Sequence, residues 1–320
     1  MRRVVVAGRW DGAIPLLSTG VALEQIGRGL REGSDGLDVV LLPFGTGPTF
    51  DEAVAGLRSQ ASFVRVPAEA SSTREAGERV AAALGKPRVV VEGGHGPSPD
   101  CGLGFLAGLL GVAESDVSGE GLGPALTRAE DMLGASGTDL VCAASTPRPL
   151  LGLDSVLAVR PDLDPIEEQD TELTGALTQA FAHRPLRRRQ LLGGQAAHPA
   201  RAFGSGAGGG VGAVIAAIGG RIAPTADFLA DLLNVDDALK DADLLVVVEP
   251  ELASPLLATS TLDALTRAAG ELALPVVAAT VRSSLSHYER AQWGLHGIFE
   301  TEACVTLDDA GRRIARTWLR

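Results

Sequence analysis

The chain has 320 residues, 45% of them hydrophobic, and a formal net charge of −12. That length supports two ordinary domains or one large one, and so large a hydrophobic share argues against wholesale disorder. The acidic balance and the lack of a basic stripe argue against a nucleic-acid partner, and no uninterrupted apolar run reaches the ~18 residues of a membrane span.

Residues 3–8, Arg-Val-Val-Val-Ala-Gly, are a short β-branched run that reads as a buried parallel strand. Apolar residues at helical spacing follow at 21–30. A second strand at 37–42 ends at Pro43, a helix begins at 51–57, and a third strand lies at 62–66. Residues 72–84 read as a helix with Thr73 as its cap, and 88–91 as a fourth strand. This alternation is the pattern of a parallel sheet with helices on both faces. The Gly- and Pro-rich stretch 92–104 leads into an apolar helix at 102–111, and 140–144 is another strand. Residues 162–182 read as a long amphipathic helix, entered at Pro161 and Pro165 and left at His183-Arg184-Pro185. A glycine-rich turn at 204–212 then flows into the apolar run 214–218. Short helices at 227–233 and 236–239, a strand at 242–248 ending at Glu249, a helix at 261–272 and a strand at 275–279 restore the regular rhythm. The expected organisation is a discontinuous Rossmann-like domain, 1–85 with 220–320, and an inserted second α/β domain at 86–219.

Three widely spaced cysteines, Cys101, Cys142 and Cys304, form no metal-type pair and fit a reducing compartment. With no apolar leader before the first strand, the expected location is cytoplasmic. Only two lysines, Lys86 and Lys240, stand against 26 arginines. Phosphate chemistry here must therefore lean on arginine, backbone N–H groups or metal. The cluster at 184–189 holds four arginines and reads as a solvated segment, or as an anion or partner site.

Ligands of open parallel sheets sit beyond the carboxyl ends of the strands. Three strand-end segments are candidates on that ground. Gly8-Arg9-Trp10-Asp11 carries a cation and an acid. Glu92-Gly-Gly-His-Gly-Pro-Ser-Pro-Asp100 carries Gly94, His95, Ser98 and Asp100. His95 reads as a base or phosphate partner, or as an exposed loop histidine; Asp100 reads also as a helix cap. Glu249 is a candidate metal ligand. In the glycine turn, Gly206, Gly208 and Gly209 read either as a close approach to a ligand or as tight packing. The P-loop pattern is absent, and so many glycines match almost any dinucleotide template, leaving a nicotinamide-dependent oxidoreductase weakly supported.

The later residues resemble the bacterial glycerate kinase family. The resemblance rests on Gly206-Ala-Gly-Gly-Gly-Val-Gly-Ala213, on the segment from Asp227 to Asp243, and on the strand ending at Glu249. It extends to Pro275-Val-Val-Ala and Gly297-Ile-Phe, and back to Gly94, Asp100, Gly102 and Gly104 and to Pro149-Leu-Leu-Gly152. It implies a two-domain glycerate-kinase-like α/β fold and ATP-dependent phosphoryl transfer to D-glycerate or a related small hydroxy acid, with magnesium. Carried onto this chain, it implies that Asp11 and Asp100 act in catalysis. Arg9, Gly94, His95, Ser98, Arg148, Gly206, Gly208 and Gly209 would hold substrate or phosphate, and Glu249, with Asp100, metal. It leaves room for a protein partner or a homo-oligomer.

The departures from the family pattern fall on polar positions. Where the family has Asp-Ser-Phe-Lys-Gly-Ser after the first strand, this chain has Arg9-Trp10-Asp11-Gly12-Ala13. Where it has Asp-Gly-Gly-Glu-Gly-Thr, this chain has Gly45-Thr46-Gly47-Pro48-Thr49. Of Gly-Glu-Gly-Arg-Leu-Asp only Glu249 and Leu252 persist, His-Gly-Lys becomes Ala258-Thr259-Ser260, and Arg148 replaces an Asn. Phosphoryl transfer needs cationic charge, metal-holding acids and a proton acceptor. Their joint replacement inside an intact apolar frame implies reduced or lost ordinary activity, with a non-catalytic binding or assembly module as the alternative.

Overall fold

The valine-rich runs become parallel strands of two separate sheets. The structure is a computed structural model that describes residues 2–11, 17–57, 61–94, 96, 100–160, 166, 171–182, 184, 198–254, 261–301 and 306–319. Its strands are β1 (Arg2–Gly8), β2 (Leu37–Pro43), β3 (Ser62–Val66), β4 (Arg88–Gly93), β5 (Asp139–Ala144), β6 (Arg221–Pro224), β7 (Leu244–Val248), β8 (Glu251–Leu252), β9 (Val276–Thr280), β10 (Arg282–Ser283) and β11 (Gly297–Glu300). Its helices are α1 (Thr19–Gly33), α2 (Pro48–Val54), α3 (Arg74–Ala83), α4 (Leu103–Leu110), α5 (Leu122–Ser136), α6 (Thr171–Ala182), α7 (Val211–Ala217), α8 (Thr225–Leu232), α9 (Val235–Leu239), α10 (Leu262–Glu271), α11 (His287–Gln292) and α12 (Leu307–Trp318). Among the described residues no helix is long and apolar enough to cross a membrane.

The chain divides into two compact units, Met1–Ala55 with Ala226–Arg320, and Gly56–Thr225. The sequence reading drew these boundaries at 85/86 and 219/220. The difference lies in β3, α3 and β6, since β3 pairs with β4 and β6 with β5 in the second unit's sheet.

In the first unit the sheet runs β11-β9-β7-β1-β2, all parallel. The inner strands β7 and β9 are wholly buried, as is the second half of β1, while the edge strands β2 and β11 are mostly half-buried. A strand covered on both faces needs a continuous apolar run, which β7 supplies as Leu-Leu-Val-Val-Val. Helices α1 and α12 give Leu23, Ile26, Leu307 and Ile314 to the core around Val4, Val6 and Val246. Ser18 caps α1, its Oγ accepting the Val21 N–H, and Thr306 with Asp309 forms a capping box on α12. A small ribbon of β8 and β10 follows the carboxyl ends of β7 and β9.

In the second unit the order is β3-β4-β5-β6, again parallel. Helix α4 is apolar all round, and every residue from Gly104 to Leu110 is buried. Phe105 and Leu106 join Val91, Leu126, Cys142 and Ile215 in one core. Helix α6 covers only the second part of the helix expected at 162–182; most of its first part lies outside the described residues, as do the arginines at 187–189.

The glycine-rich turn leads into α7. Gly208, Gly209 and Gly210 have φ of 60°, 65° and 115°, a region where a Cβ is strained. Room is equally short. A Cβ on Gly93 would stand 2.7 Å from the Gly208 Cα, and one on Gly210 would stand 2.4 Å from the Cys101 carbonyl oxygen. One on Gly206 would meet Val156 Cγ1 at 2.6 Å. The turn lies backbone to backbone on β4 and on the entry to α4, which is the tight-packing use of its glycines.

Candidate functional site

The first unit's strand order reverses between β1 and β7: β2 follows on one side, and β9 and β11 on the other. In open α/β sheets such a reversal opens a binding position at the carboxyl ends of the strands. The parallel register pairs Gly8 with Val248, so residues 9 and 249 leave neighbouring strands side by side. Gly8 has φ of 142°, and a Cβ on it would lie 2.0 Å from the Val248 carbonyl oxygen. The two strand ends are therefore closer than any other residue permits.

Arg9 and Glu249 meet there. Arg9 Nε donates to Glu249 Oε1 at 2.6 Å. The Glu249 side chain is 4% exposed and that of Arg9 32%. Gly45 makes room for the arginine, because a Cβ on it would stand 2.8 Å from Arg9 Cβ. Burial pushes the Glu249 carboxyl above its ordinary range; the attraction of Arg9 opposes this without cancelling it, and Asp11 adds to the rise. For Arg9, burial works against the charge, but Glu249 and then Asp11 outweigh it and raise the guanidinium further.

Asp11 ends a chain of hydroxyls. The Trp10 N–H donates to Thr19 Oγ1 at 3.0 Å, Thr19 Oγ1 lies 2.6 Å from Thr49 Oγ1, and Thr49 Oγ1 donates to Asp11 Oδ1 at 2.5 Å. A hydroxyl has one proton, so Thr19 supplies the middle bond while Thr49 gives its own to Asp11. Beside them, Glu52 of α2 accepts from Thr19 N at 3.0 Å and from Gly20 N at 2.7 Å. The first helix after a Rossmann-like first strand presents unpaired N–H groups that suit a phosphate; here a carboxylate of the chain occupies them.

Asp100 lies in the second unit, so it and Glu249, expected together on magnesium, belong to different units. Its Oδ2 accepts from Thr73 N at 2.6 Å and Ser72 Oγ at 3.0 Å, and its Oδ1 from Gly102 N at 3.0 Å. Thr73 Oγ1 donates to Asp100 and accepts from Phe105 N at 2.7 Å. Asp100 and Thr73 thus tie the starts of α3 and α4 together. Arg148 closes its own loop, Nη1 donating to the Asp154 carbonyl at 2.9 Å, while its carbonyl accepts from Gly206 N at 3.0 Å. Gly94 accepts from Gly208 N at 3.0 Å through its carbonyl. His95 and Ser98 lie outside the described residues.

A second strand-end constellation was not among the expected site residues. Glu92 is 2% exposed near the end of β4. Ser145, just past β5, donates to Glu92 Oε1 at 2.5 Å and lies 2.8 Å from the Thr225 hydroxyl, just past β6. Beneath them the Cys142 thiol is pushed up to about 12, by burial first and by Glu92 second. The sequence reading ends the fourth strand at Val91 and gives Glu92 to the loop; Ser145 lies 53 residues further along the chain, and Thr225 80 residues beyond Ser145. Among the described residues no three His, Cys, Asp or Glu side chains are grouped to hold a metal ion.

Comparison with known proteins adds three findings. The profile of the glycerate kinase family matches residues 52–319. Two uncharacterized proteins, one from Mycobacterium bovis and one from Mycobacterium tuberculosis, are each 29% identical over 219 residues, covering 68% of this chain and 51% of theirs. The chain thus spans about half the length of the curated relatives it matches. The crystal structure of a candidate glycerate kinase 2 from Salmonella typhimurium LT2 superposes with a TM-score of 0.66 at 19% identity, over 99% of this chain and 96% of that one. At that identity the likeness speaks for the fold alone.

Proposed function

The chain belongs to the glycerate kinase family, and from that premise we propose that it keeps the family fold while phosphoryl transfer from ATP to D-glycerate is strongly reduced or lost. The observation that carries this reading is the buried pair at the switch point: Glu249, the acid retained from the family motif, is bonded to Arg9, which stands where the family has an aspartate. Two acids at neighbouring strand ends would draw a divalent cation; an acid and an arginine neutralise each other. Asp100, the other expected metal ligand, is taken up by Thr73, Ser72 and Gly102. This donor set does not fit magnesium. Nor do the first-turn amides of α1 invite a phosphate while Glu52 accepts from them.

The direct test is a thermal-shift matrix over ATP, magnesium and D-glycerate. A ligand at a hundred times its Kd stabilises by about 2.7 kcal/mol. We expect no stabilisation by ATP with magnesium; a saturable, magnesium-dependent rise would overturn the reading. One feature favours a second reading, transfer to a different small hydroxy acid: Arg9 and Asp11 place a cation and an acid just past the carboxyl end of β1. A panel of hydroxy acids with ATP separates the two, since turnover with any of them supports the second.

A further inference from the structure

The second unit carries a hydroxyl set up to react. Ser145 stands just past the carboxyl end of β5, where ligands of open parallel sheets sit. Its Oγ donates to Glu92 Oε1 at 2.5 Å and lies 2.8 Å from the Thr225 hydroxyl. A hydroxyl has one proton, so Thr225 is the donor in the second contact. The serine oxygen is thus oriented from two sides, with its proton aimed at a carboxylate. Glu92 and Thr225 are each 2% exposed, whereas Ser145 is half-buried, so a ligand reaches the serine but not its two partners. Gly94 leaves space beside it. Its φ lies outside the left-handed region, and among the described residues an added Cβ would meet only Ser145 Cβ, at an ordinary 3.9 Å. Neither backbone conformation nor packing calls for a glycine there, unlike at Gly93 or Gly210. What the missing side chain leaves is room next to the hydroxyl.

We propose that Ser145 is a nucleophile with Glu92 as its general base, and that this strand end takes the acyl group of a small, uncharged ester. A serine hydroxyl is a weak nucleophile until a base within hydrogen-bond reach takes its proton, and Glu92 is within that reach. Ser145 Oγ bonds to the ester carbonyl carbon while its proton passes to Glu92. The bond from that carbon to the alcohol oxygen then breaks, and the alcohol leaves with the proton. Water, giving a proton to Glu92 in turn, attacks the acyl-serine; the acid departs and Ser145 regains its proton. Ester and water become acid and alcohol, with no metal, oxidant or nucleotide. The Glu92 charge beside Oγ repels an anion, so the ligand is an uncharged acyl compound rather than a carboxylate or phosphate. The step uses neither Arg9 nor Glu249 nor ATP, so it stands or falls apart from the function proposed above.

The probe is p-nitrophenyl acetate, with release of p-nitrophenol followed by absorbance and the acetyl group located by peptide mass spectrometry after an acid quench. Two variants serve as comparison. Ser145→Ala removes the nucleophile; Glu92→Gln keeps the shape and an acceptor for Ser145 but takes no proton. Circular dichroism verifies both folds. We expect acetyl on the Ser145 peptide, release with Ser145→Ala no faster than in buffer, and release with Glu92→Gln at least about a hundred-fold slower than with the unaltered protein, the lower end of what general-base catalysis supplies. A purely structural bond between Ser145 and Glu92 would leave release with Glu92→Gln unchanged. Acetyl found only on other residues, equal release with Ser145→Ala, or an undiminished rate with Glu92→Gln overturns the proposal. Should Glu92→Gln fail to fold, Ser145→Ala and the site of acetylation decide it, because loss of a half-buried hydroxyl removes little packing.

Discussion

Replacing Arg9 by Gln removes the cation beside a carboxylate whose side chain is 4% exposed, while Arg9 itself is 32% exposed. Breaking a fully buried ion pair from one side costs about 3–5 kcal/mol, because it leaves an uncompensated buried charge. Solvent contact at Arg9 discounts that figure, so Arg9→Gln should cost about 2–3 kcal/mol near neutral pH. Glu249→Gln leaves an arginine that can turn to water and keeps an acceptor for Nε, so it should cost about 1 kcal/mol. The pH dependence follows from the burial that holds the Glu249 carboxyl above its ordinary value of 4.5. Loss of Arg9 raises it further. A carboxyl with a raised folded pKa contributes stability that is complete below the unfolded value and lost as pH rises through the folded one. The Arg9→Gln penalty should therefore grow from mildly acid to mildly alkaline pH. Trp10, Trp293 and Trp318 all lie in the first unit, so urea unfolding followed by tryptophan fluorescence reads this unit selectively. A Glu249→Gln variant less stable than Arg9→Gln, or an Arg9→Gln penalty indifferent to pH, would refute the reasoning.

Three further outcomes follow from the geometry. Partial burial works to raise the Asp139 carboxyl, but hydrogen bonds from Arg221 and Arg88 outweigh it and hold the group below its ordinary range. Asp139→Asn should cost about 0.5–1 kcal/mol near neutral pH, the worth of a partly exposed ion pair, and that cost should vanish as pH falls through the lowered pKa; circular dichroism during urea unfolding reads it, and a cost persisting in acid would count against it. Cys142 is fully buried with its thiol pushed up to about 12, so iodoacetamide at mildly alkaline pH should leave it unmodified in the native protein, as peptide mass spectrometry would show; rapid native labelling would contradict its placement. Gly8→Ala puts a Cβ 2.0 Å from the Val248 carbonyl oxygen at a φ of 142°, and should destabilise the first unit by more than about 4 kcal/mol; a loss under about 1 kcal/mol would contradict the strand-end geometry.

Much of the fold was legible because each inner strand had to be apolar throughout. Val4-Val5-Val6, Val89-Val90-Val91 and Leu244 to Val248 announce themselves. What periodicity does not carry is which sheet a strand joins. The rhythm of β1, α1, β2, α2, β3 runs on unbroken while the chain passes from one unit to the other after Ala55, so β3 and α3 looked continuous with the first domain. The site was legible one residue at a time. Arg9, Asp11 and Glu249 were marked by their positions at strand ends, but the bond between Arg9 and Glu249 spans 240 residues and appears only once β1 and β7 pair. Asp100 looked like either a cap or a ligand, and its Thr73, Ser72 and Gly102 partners make it a clamp between helix starts. Glu92 read as the start of a loop, whereas β4 runs on to Gly93, and nothing local pointed to Ser145 and Thr225.

Single-turnover transfer of radiolabelled γ-phosphate from ATP to D-glycerate, with enzyme in excess and magnesium present, tests the central claim most directly. Working kinases turn over at about 1–100 per second. With Glu249 committed to Arg9 and Glu52 on the α1 amides, the account predicts transfer at least about a thousand-fold slower than that range. Phosphoglycerate formed at about one per second or faster would contradict it.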